Sequence, residues 1–233
     1  MAGMTTTLIT GANKGLGREG ARRLLADGHD VWVAARDPDR GREAAEALGA
    51  RLVVLDVTDG PGIAAAAERV AAEGGLDVLI NNAGIVGDPR PVAETTAEDV
   101  RRIIDTNVLG IVRVTQAFVP LLERSANPVI VNVSSGMGSL GVTTDPSRLE
   151  STLVGLGYPA SKTAVNMLTS MYAKALPHMR VNCVDPGYTA TDLNAHRGAQ
   201  TVEEGAEIIV RMAEIGAGGP TGAFVDRHGA VPW

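Results

Sequence analysis

The sequence predicts a doubly wound α/β fold, with one seven-stranded parallel sheet and helices on both faces. Three observations carry this. Short runs rich in Val, Ile and Thr alternate with longer Ala-rich amphipathic stretches, the pattern of repeated right-handed βαβ crossovers. A chain of 233 residues with 45% hydrophobic content can bury a large core, and with only 3% aromatic residues that core must be mostly Ala, Val, Leu and Ile. No linker rich in Pro, Gly or Ser, no repeat and no low-complexity segment interrupts the alternation, so residues 1–233 are expected to form a single domain.

The strand-like runs are Thr6–Thr10, Val31–Ala35, Arg51–Leu55, Val78–Asn81, Val129–Val133, Arg180–Val184 and Ala223–Val225. The helical stretches lie near Leu16–Asp27, Arg40–Leu48, Gly62–Glu73, Glu98–Arg124, Tyr158–Leu176 and Val202–Ile215. Asp37, just before Pro38, suits the cap of the second helix. Glu98–Arg124 is apolar nearly all round, which means burial on more than one side. Two readings stay open: packing under Val202–Ile215 or the Gly136–Gly157 segment, or a contact between subunits. A homo-oligomer paired through the 98–124 and 158–176 helices is the partner this allows.

A net charge of −6 supplies no basic face for nucleic acid or an anionic membrane. Cys183 is the single cysteine, so no intrachain disulfide can form, and inside a strand it reads as a small core residue. The N-terminus has no basic segment followed by a long apolar one, and the longest charge-free stretch, Ser125 to Thr144, carries Pro, Asn, Ser and Gly. A cytoplasmic location is expected. His29, His178 and His228 have no partner at metal-ligand spacing, so no metal is expected.

Thr10-Gly11-Ala12-Asn13-Lys14-Gly15-Leu16-Gly17 follows the first strand and opens the first helix. A strand turning sharply into a helix presents backbone NH groups and the positive end of the helix dipole, a site suited to a pyrophosphate. Glycine is needed where side chains would block that approach. An acidic residue at the end of the second strand would hold the ribose 2′-hydroxyl of NAD. Here Arg36 stands after Val33-Ala34-Ala35, and a guanidinium pairs with the 2′-phosphate of NADP instead. Lys14 adds a second cation nearby. The cofactor predicted is NADP(H).

Eight stretches, in order and spacing, resemble the short-chain dehydrogenase/reductase superfamily, and within it the carbonyl-reductase-like members. They are Thr10 to Gly17, Ala35-Arg36-Asp37 with Arg40-Gly41, Leu55-Asp56-Val57, Gly75 to Gly84 with Asn81-Asn82-Ala83-Gly84, Thr106-Asn107-Val108, Val131-Asn132-Val133-Ser134-Ser135, Tyr158-Pro159-Ala160-Ser161-Lys162 and Asp185-Pro186-Gly187. The resemblance implies a Rossmann fold, a nicotinamide cofactor and a catalytic set of Asn107, Ser135, Tyr158 and Lys162. Tyr158 and Lys162, four residues apart, share one face of a helix. A lysine cation would favour the phenolate and pull the phenol below its ordinary pKa of about 10. Ser135 would hydrogen-bond the substrate oxygen; chemistry alone does not separate it from Ser134, and the family pattern favours the second. Asn107 would hold a water linking Lys162 to solvent.

The cofactor contacts implied are Gly11, Asn13, Lys14, Gly15, Leu16 and Gly17 at the turn, with Arg36 beyond it. Asp56 and Val57 would meet the adenine, and Asn82, Ala83 and Gly84 would pass near the adenine-side ribose. Tyr158, Lys162, Pro186, Gly187, Thr189 and Thr191 would lie around the nicotinamide and phosphates.

Two departures from the family pattern stand out. Gly136 to Gly157 is extra chain between serine and tyrosine, expected to shape the substrate pocket with Met137, Leu140, Val142 and Leu153 as apolar lining. Asn194–Gln200, where many members carry a longer lid, is short, with His196 and Arg197 exposed. The function expected is hydride transfer between NADP(H) and a small-molecule carbonyl or alcohol, as an aldehyde or ketone reductase. The alternative is a non-catalytic NADP(H)-binding regulator or redox sensor.

Overall fold

The computed structural model describes residues 4–233. The reading of the extreme N-terminus falls in part on residues 1–3, outside the described residues. The elements run β1 (Thr6–Thr10), α1 (Gly15–Ala26), β2 (Asp30–Ala35), α2 (Pro38–Leu48), β3 (Arg51–Val54), α3 (Gly60–Ala72), β4 (Val78–Asn81), α4 (Ala97–Ile104), α5 (Gly110–Leu122), β5 (Val129–Val133), α6 (Leu140–Thr143), α7 (Gly157–Ala175), β6 (Arg180–Val184), α8 (Val202–Ala213), β7 (Phe224–Asp226) and β8 (Gly229–Ala230). The sheet order is β3-β2-β1-β4-β5-β6-β7-β8. The order reverses between β1 and β4, opening the crevice beyond the strand ends where such sheets bind ligands.

The expected doubly wound fold is present, with one correction. The sheet has eight strands, and β8 pairs antiparallel with β7. Its two residues are too few to leave a periodic pattern. The Asp226 carboxylate builds the turn between them by accepting from the His228 and Gly229 amides at 2.7 and 2.9 Å.

Because side chains alternate across a strand, the sheet divides its apolar residues between two layers. On one face Leu8, Leu79 and Ile130 lie under α3, α5 and α7, with Phe118 fully buried. On the other, Ile9, Ile80 and Val131 lie under α1, α2 and α8. Both layers are aliphatic, as 3% aromatic content requires.

Of the packings expected of the α4–α5 rod, that under Val202–Ile215 is not found, while the Gly136–Gly157 segment meets it at Gly157. The rod lies against the sheet, α3 and α7, whereas α8 packs on α1 across the sheet. The glycine that starts α7 allows close approach: a Cβ on Gly157 would fall 2.5 Å from Ile103 Cδ1. The rod is also not one regular helix. Asp105–Leu109 forms a π-helical turn between α4 and α5. Arg113 holds this widened turn, with Nη2 2.7 Å from Asp105 Oδ1 and Nη1 donating to the Asp105 carbonyl at 3.3 Å.

The Gly136–Gly157 segment is ordered rather than structureless. It carries a 3₁₀ turn at Gly136–Gly138, the short α6, and a second 3₁₀ turn at Leu149–Thr152. The chain end pins α6 down. Ser139 Oγ donates to the Pro232 carbonyl at 2.5 Å and the Gly141 amide to the Trp233 carbonyl at 3.1 Å.

Candidate active site

The strand ends at the crevice carry buried polar side chains that lock neighbouring loops together. Asn81 and Asn132 are register partners on β4 and β5. Asn81 Nδ2 donates to Asn132 Oδ1 at 2.9 Å, and Asn132 Nδ2 passes the chain to Thr169 Oγ1 on α7 at 2.9 Å. One residue on, Asn82 Nδ2 donates to the Thr10 carbonyl at 2.8 Å, while Thr10 Oγ1 accepts from the Asn82 and Ala83 amides. Asn82 therefore ties β4 to the glycine turn, and Ala83 follows it along the crevice wall.

The glycine turn has the conformation its composition predicts. Gly11 and Gly15 have φ of +66° and +54°. Gly17 serves packing: a Cβ there would lie 2.5 Å from Asn82 Nδ2 and 2.9 Å from the Gly11 carbonyl. Asn13 and Leu16 are half-buried, and Leu16 packs against Gly205 of α8. The loop after β6 closes on the turn, with Thr191 Cγ2 3.6 Å from a Cβ built on Gly15.

At the end of β2, Arg36 is exposed and forms no ion pair among the described residues. Asp37 caps α2, accepting from the Asp39 and Arg40 amides at 3.0 and 3.1 Å, which holds its carboxyl below the usual range. Asp37 is thus occupied and Arg36 is free. Lys14 lies elsewhere than expected. Its Nζ is 2.8 Å from Asp192 Oδ2 rather than beside Arg36, because the loop after β6 brings a carboxylate to the turn. Asp56 folds onto Thr58, accepting from its amide and hydroxyl at 2.9 and 2.7 Å. Val57 is buried against Gly110, so its side chain serves the core.

Across the crevice, α7 presents Ser161, Lys162 and Asn166 on its buried side, with Tyr158 one turn before Lys162. Lys162 is 6% exposed, and its Nζ donates to the Val133 carbonyl at 2.8 Å. The ammonium lies 5.6 Å from the centroid of the Tyr158 ring. Burial pulls Lys162 down to about 8, partly offset by the Asp185 carboxylate. The phenol departs from expectation. Burial pushes it up to about 12, and the opposing hydrogen bond to Ser135 does not reverse this. Desolvation of the phenolate sets the direction, and Lys162 is not among the groups that shift it.

The two serines have separate settings. Ser134 is buried and donates to Asn166 Oδ1 at 2.5 Å. Ser135 is half-buried, accepts from the Met137 amide at 3.2 Å and partners the phenol. Asn107 sits in the π-helical turn, 1% exposed. Its side chain is committed: Oδ1 accepts from the Ile85 amide, and Nδ2 donates to the Ile85 carbonyl, each at 2.9 Å, and to Ser161 Oγ at 3.0 Å. Gly84 lies beside it, and a Cβ there would be 3.4 Å from Asn107 Oδ1 and 3.8 Å from Lys162 Nζ. Ser161 and Asn166 were not singled out in the sequence, although their spacing from Lys162 on a helix places them on its face.

In the loop after β6, Gly187 has φ +73°. Thr189 is buried, and its Oγ1 donates to the Pro186 carbonyl at 3.2 Å and accepts from Gln200 Nε2 at 2.8 Å. A cleft of about 270 Å³ opens beside Pro186 and Gly187, lined among others by Arg148, Glu150, Asp185, Tyr188 and Asp226. None of Met137, Leu140, Val142 and Leu153, the apolar lining expected of the extra segment, is among the residues of this cleft. Leu140 and Leu153 face outward, and Val142 packs with Cys183, Phe224 and Val231. What the segment brings to the cleft is Ser147–Glu150, because α6 spends its apolar side on the chain end.

The whole chain was then compared with known proteins. The family model for short chain dehydrogenase matches residues 5–202. (−)-Isopiperitenone reductase of Mentha piperita is 33% identical, with 96% of each chain covered. The chain belongs to the short-chain dehydrogenase/reductase family. It is an oxidoreductase fold of a family that binds nicotinamide cofactors. Among solved structures, NADPH-bound carbonyl reductase from chicken fatty liver is 28% identical with a TM-score of 0.88, covering 99% of both chains. Salutaridine reductase from Papaver somniferum is 30% identical with a TM-score of 0.85, covering 96% of this chain and 99% of that one. No described helix is long and apolar enough to cross a membrane.

Proposed function

We propose that this short-chain dehydrogenase/reductase is an NADPH-dependent reductase of aldehydes or ketones, acting as one unit over residues 1–233. The observation that carries the reading is the convergence of Tyr158, Lys162 and Ser135 at the ends of β4 to β6, beside the crevice that begins at the glycine turn. The residues present fit the cofactor. Positive-φ glycines leave the turn open to a pyrophosphate, and Arg36 is a free guanidinium where the 2′-phosphate of NADPH would lie. Bound NADPH supplies the hydride.

This chain's groups handle the oxygen. Ser135 Oγ hydrogen-bonds the carbonyl oxygen and stabilises the charge that develops on it. Tyr158 gives that oxygen its proton, and a phenol that stays protonated at neutral pH suits this direction. Lys162, held on the Val133 carbonyl, keeps a positive charge near the phenolate left behind. Asn107 holds the Ile85 backbone and Ser161 in place beneath the pair; with its side chain so committed, a water partner would have to use its backbone. Pairing of two copies through the 98–124 and 158–176 helices belongs to the same proposal, since Leu109, Met167 and Met171 are exposed there.

The test is a carbonyl panel followed by NADPH absorbance, with Tyr158→Phe alongside. Turnover that falls at least about 100-fold in the variant supports the reading. Full activity in Tyr158→Phe refutes the mechanism. Tight NADPH binding with no turnover of any panel member would favour the regulator instead.

A further inference from the structure

Ser135 sits on a short stretch of chain that one side chain holds at both ends. That side chain is Asn166, 3% exposed on α7, one turn after Lys162 and so on the same face of the helix. Its Oδ1 accepts from Ser134 Oγ at 2.5 Å, and its Nδ2 donates to the Gly138 carbonyl at 3.1 Å. Ser134 is the residue before Ser135, and Gly138 ends the 3₁₀ turn that follows it. A single amide therefore brackets the serine from both sides.

Both ends of the bracket rest on regular structure. The Ser134 amide donates to the Val184 carbonyl of β6 at 2.8 Å. Gly138 is pressed onto α7, where a Cβ would fall 2.6 Å from the Lys162 carbonyl carbon. Between these ends, the Gly138 amide donates to the Ser135 carbonyl at 2.9 Å and the Met137 amide to Ser135 Oγ at 3.2 Å. The Met137 amide occupies a lone pair of the hydroxyl and leaves its proton free to be given to another oxygen. Ser134 offers a donor and Gly138 an acceptor, and a neutral side chain with one of each is an amide. Without Asn166, Ser134 Oγ keeps only the Lys162 carbonyl at 3.4 Å, and the buried Gly138 carbonyl loses its side-chain partner. A turn left in that state relieves the cost by moving.

We propose that Asn166 is a positioning residue for carbonyl reduction that acts through Ser135: by clamping Ser134 and Gly138 it fixes the hydroxyl that meets the substrate oxygen. The inference rests on the role given to Ser135 under the proposed function. A hydroxyl displaced by about 1 Å loses much of its hold on the charge that develops in the transition state, while the contacts that bind the cofactor are unaltered.

The experiment is a double-mutant cycle on kcat for NADPH-driven reduction, using the wild type, Asn166→Ala, Ser135→Ala and the double variant. Asn166→Ala lowers kcat at least about tenfold, while NADPH affinity, read by fluorescence titration, is retained. In the Ser135→Ala background the same substitution changes kcat less than about twofold, because the group through which it acts is gone. Losses that multiply overturn the proposal, since a general weakening of the fold acts in either background. An unchanged kcat in Asn166→Ala overturns it too, as does an NADPH affinity that falls as far as kcat. Ser134→Ala removes one end of the bracket and goes through the same cycle, deciding by the same criteria should Asn166→Ala not fold. Hydrogen exchange supplies a readout without turnover. The amides of residues 137–139 exchange at least about tenfold faster in the variant, with those of β5 unmoved. Wild-type exchange at 137–139 is an overturning result. If the wild type reduces no carbonyl, or Ser135→Ala keeps full activity, the proposed function fails instead, and exchange alone decides whether Asn166 holds the serine.

Discussion

Lys14 Nζ and Asp192 Oδ2 lie 2.8 Å apart, joining the glycine turn to the loop after β6 across 178 positions of sequence. Asp192 Oδ1 is also 2.9 Å from His196 Nε2. Lys14 and Asp192 are 57% and 52% exposed, so solvent screens the pair and it adds little to stability. Its importance is positional, since it ties the loop after β6 to the glycine turn at which the proposed dinucleotide would bind.

Under the proposed function, Asp192 would compete with a bound phosphate for the Lys14 ammonium. In Asp192→Asn, NADPH binding is expected to tighten several-fold at low ionic strength, with the gain fading in high salt. The melting temperature should hardly move. Fluorescence titration at two salt concentrations checks this, and equal affinity in both proteins at both salts counts against it.

Arg36 is exposed and makes no ion pair among the described residues, so its replacement tests the cofactor without disturbing the fold. Arg36→Asp should weaken NADPH at least about tenfold and improve NADH, since a carboxylate repels a 2′-phosphate and accepts from a 2′-hydroxyl. Parallel titrations with both cofactors measure it. An unchanged NADPH/NADH ratio would show that the guanidinium does not read the phosphate.

Lys162 carries a pH signature of its own. Burial holds it at about 8 against an ordinary 10.5, so between these values the unfolded chain binds more protons than the folded one. The penalty for burying the charge is complete below the folded value and is relieved as pH rises toward the unfolded one. Lys162→Met, which never incurs it, should gain on the wild type most at pH 7 and progressively less by pH 10. Urea unfolding across that range decides, and a difference that does not vary with pH is the adverse result.

Gly138 sets the depth at which Lys162 sits. A Cβ there would be 2.6 Å from the Lys162 carbonyl carbon and 2.8 Å from its Cβ. Gly138→Ala should push α7 away and destabilise by about 1–3 kcal/mol, with loss of kcat exceeding loss of cofactor affinity. Calorimetry together with steady-state kinetics separates the two effects.

Much of the fold was legible because its signals are local. The β-branched runs Thr6–Thr10, Val78–Asn81, Val129–Val133 and Arg180–Val184 are strands with those same bounds. Asp37 before Pro38 caps its helix as the pair of residues implies. What failed had no local signal. The π-helical turn at Asp105–Leu109 keeps a helical pattern on either side, and the outward Leu140 is indistinguishable in sequence from a pocket residue.

The sequence by itself determined the parallel sheet, the glycine turn and the one-faced spacing of Tyr158 and Lys162, because periodicity, backbone freedom and helical pitch belong to neighbouring residues. Only the tertiary structure decided that Ser134 turns inward while Ser135 turns to the phenol, that Lys14 bonds Asp192, and that Asp185 lies beside the site. Those depend on which strand ends and loops become neighbours, and on how deeply burial removes charge from water, which no stretch of chain states alone.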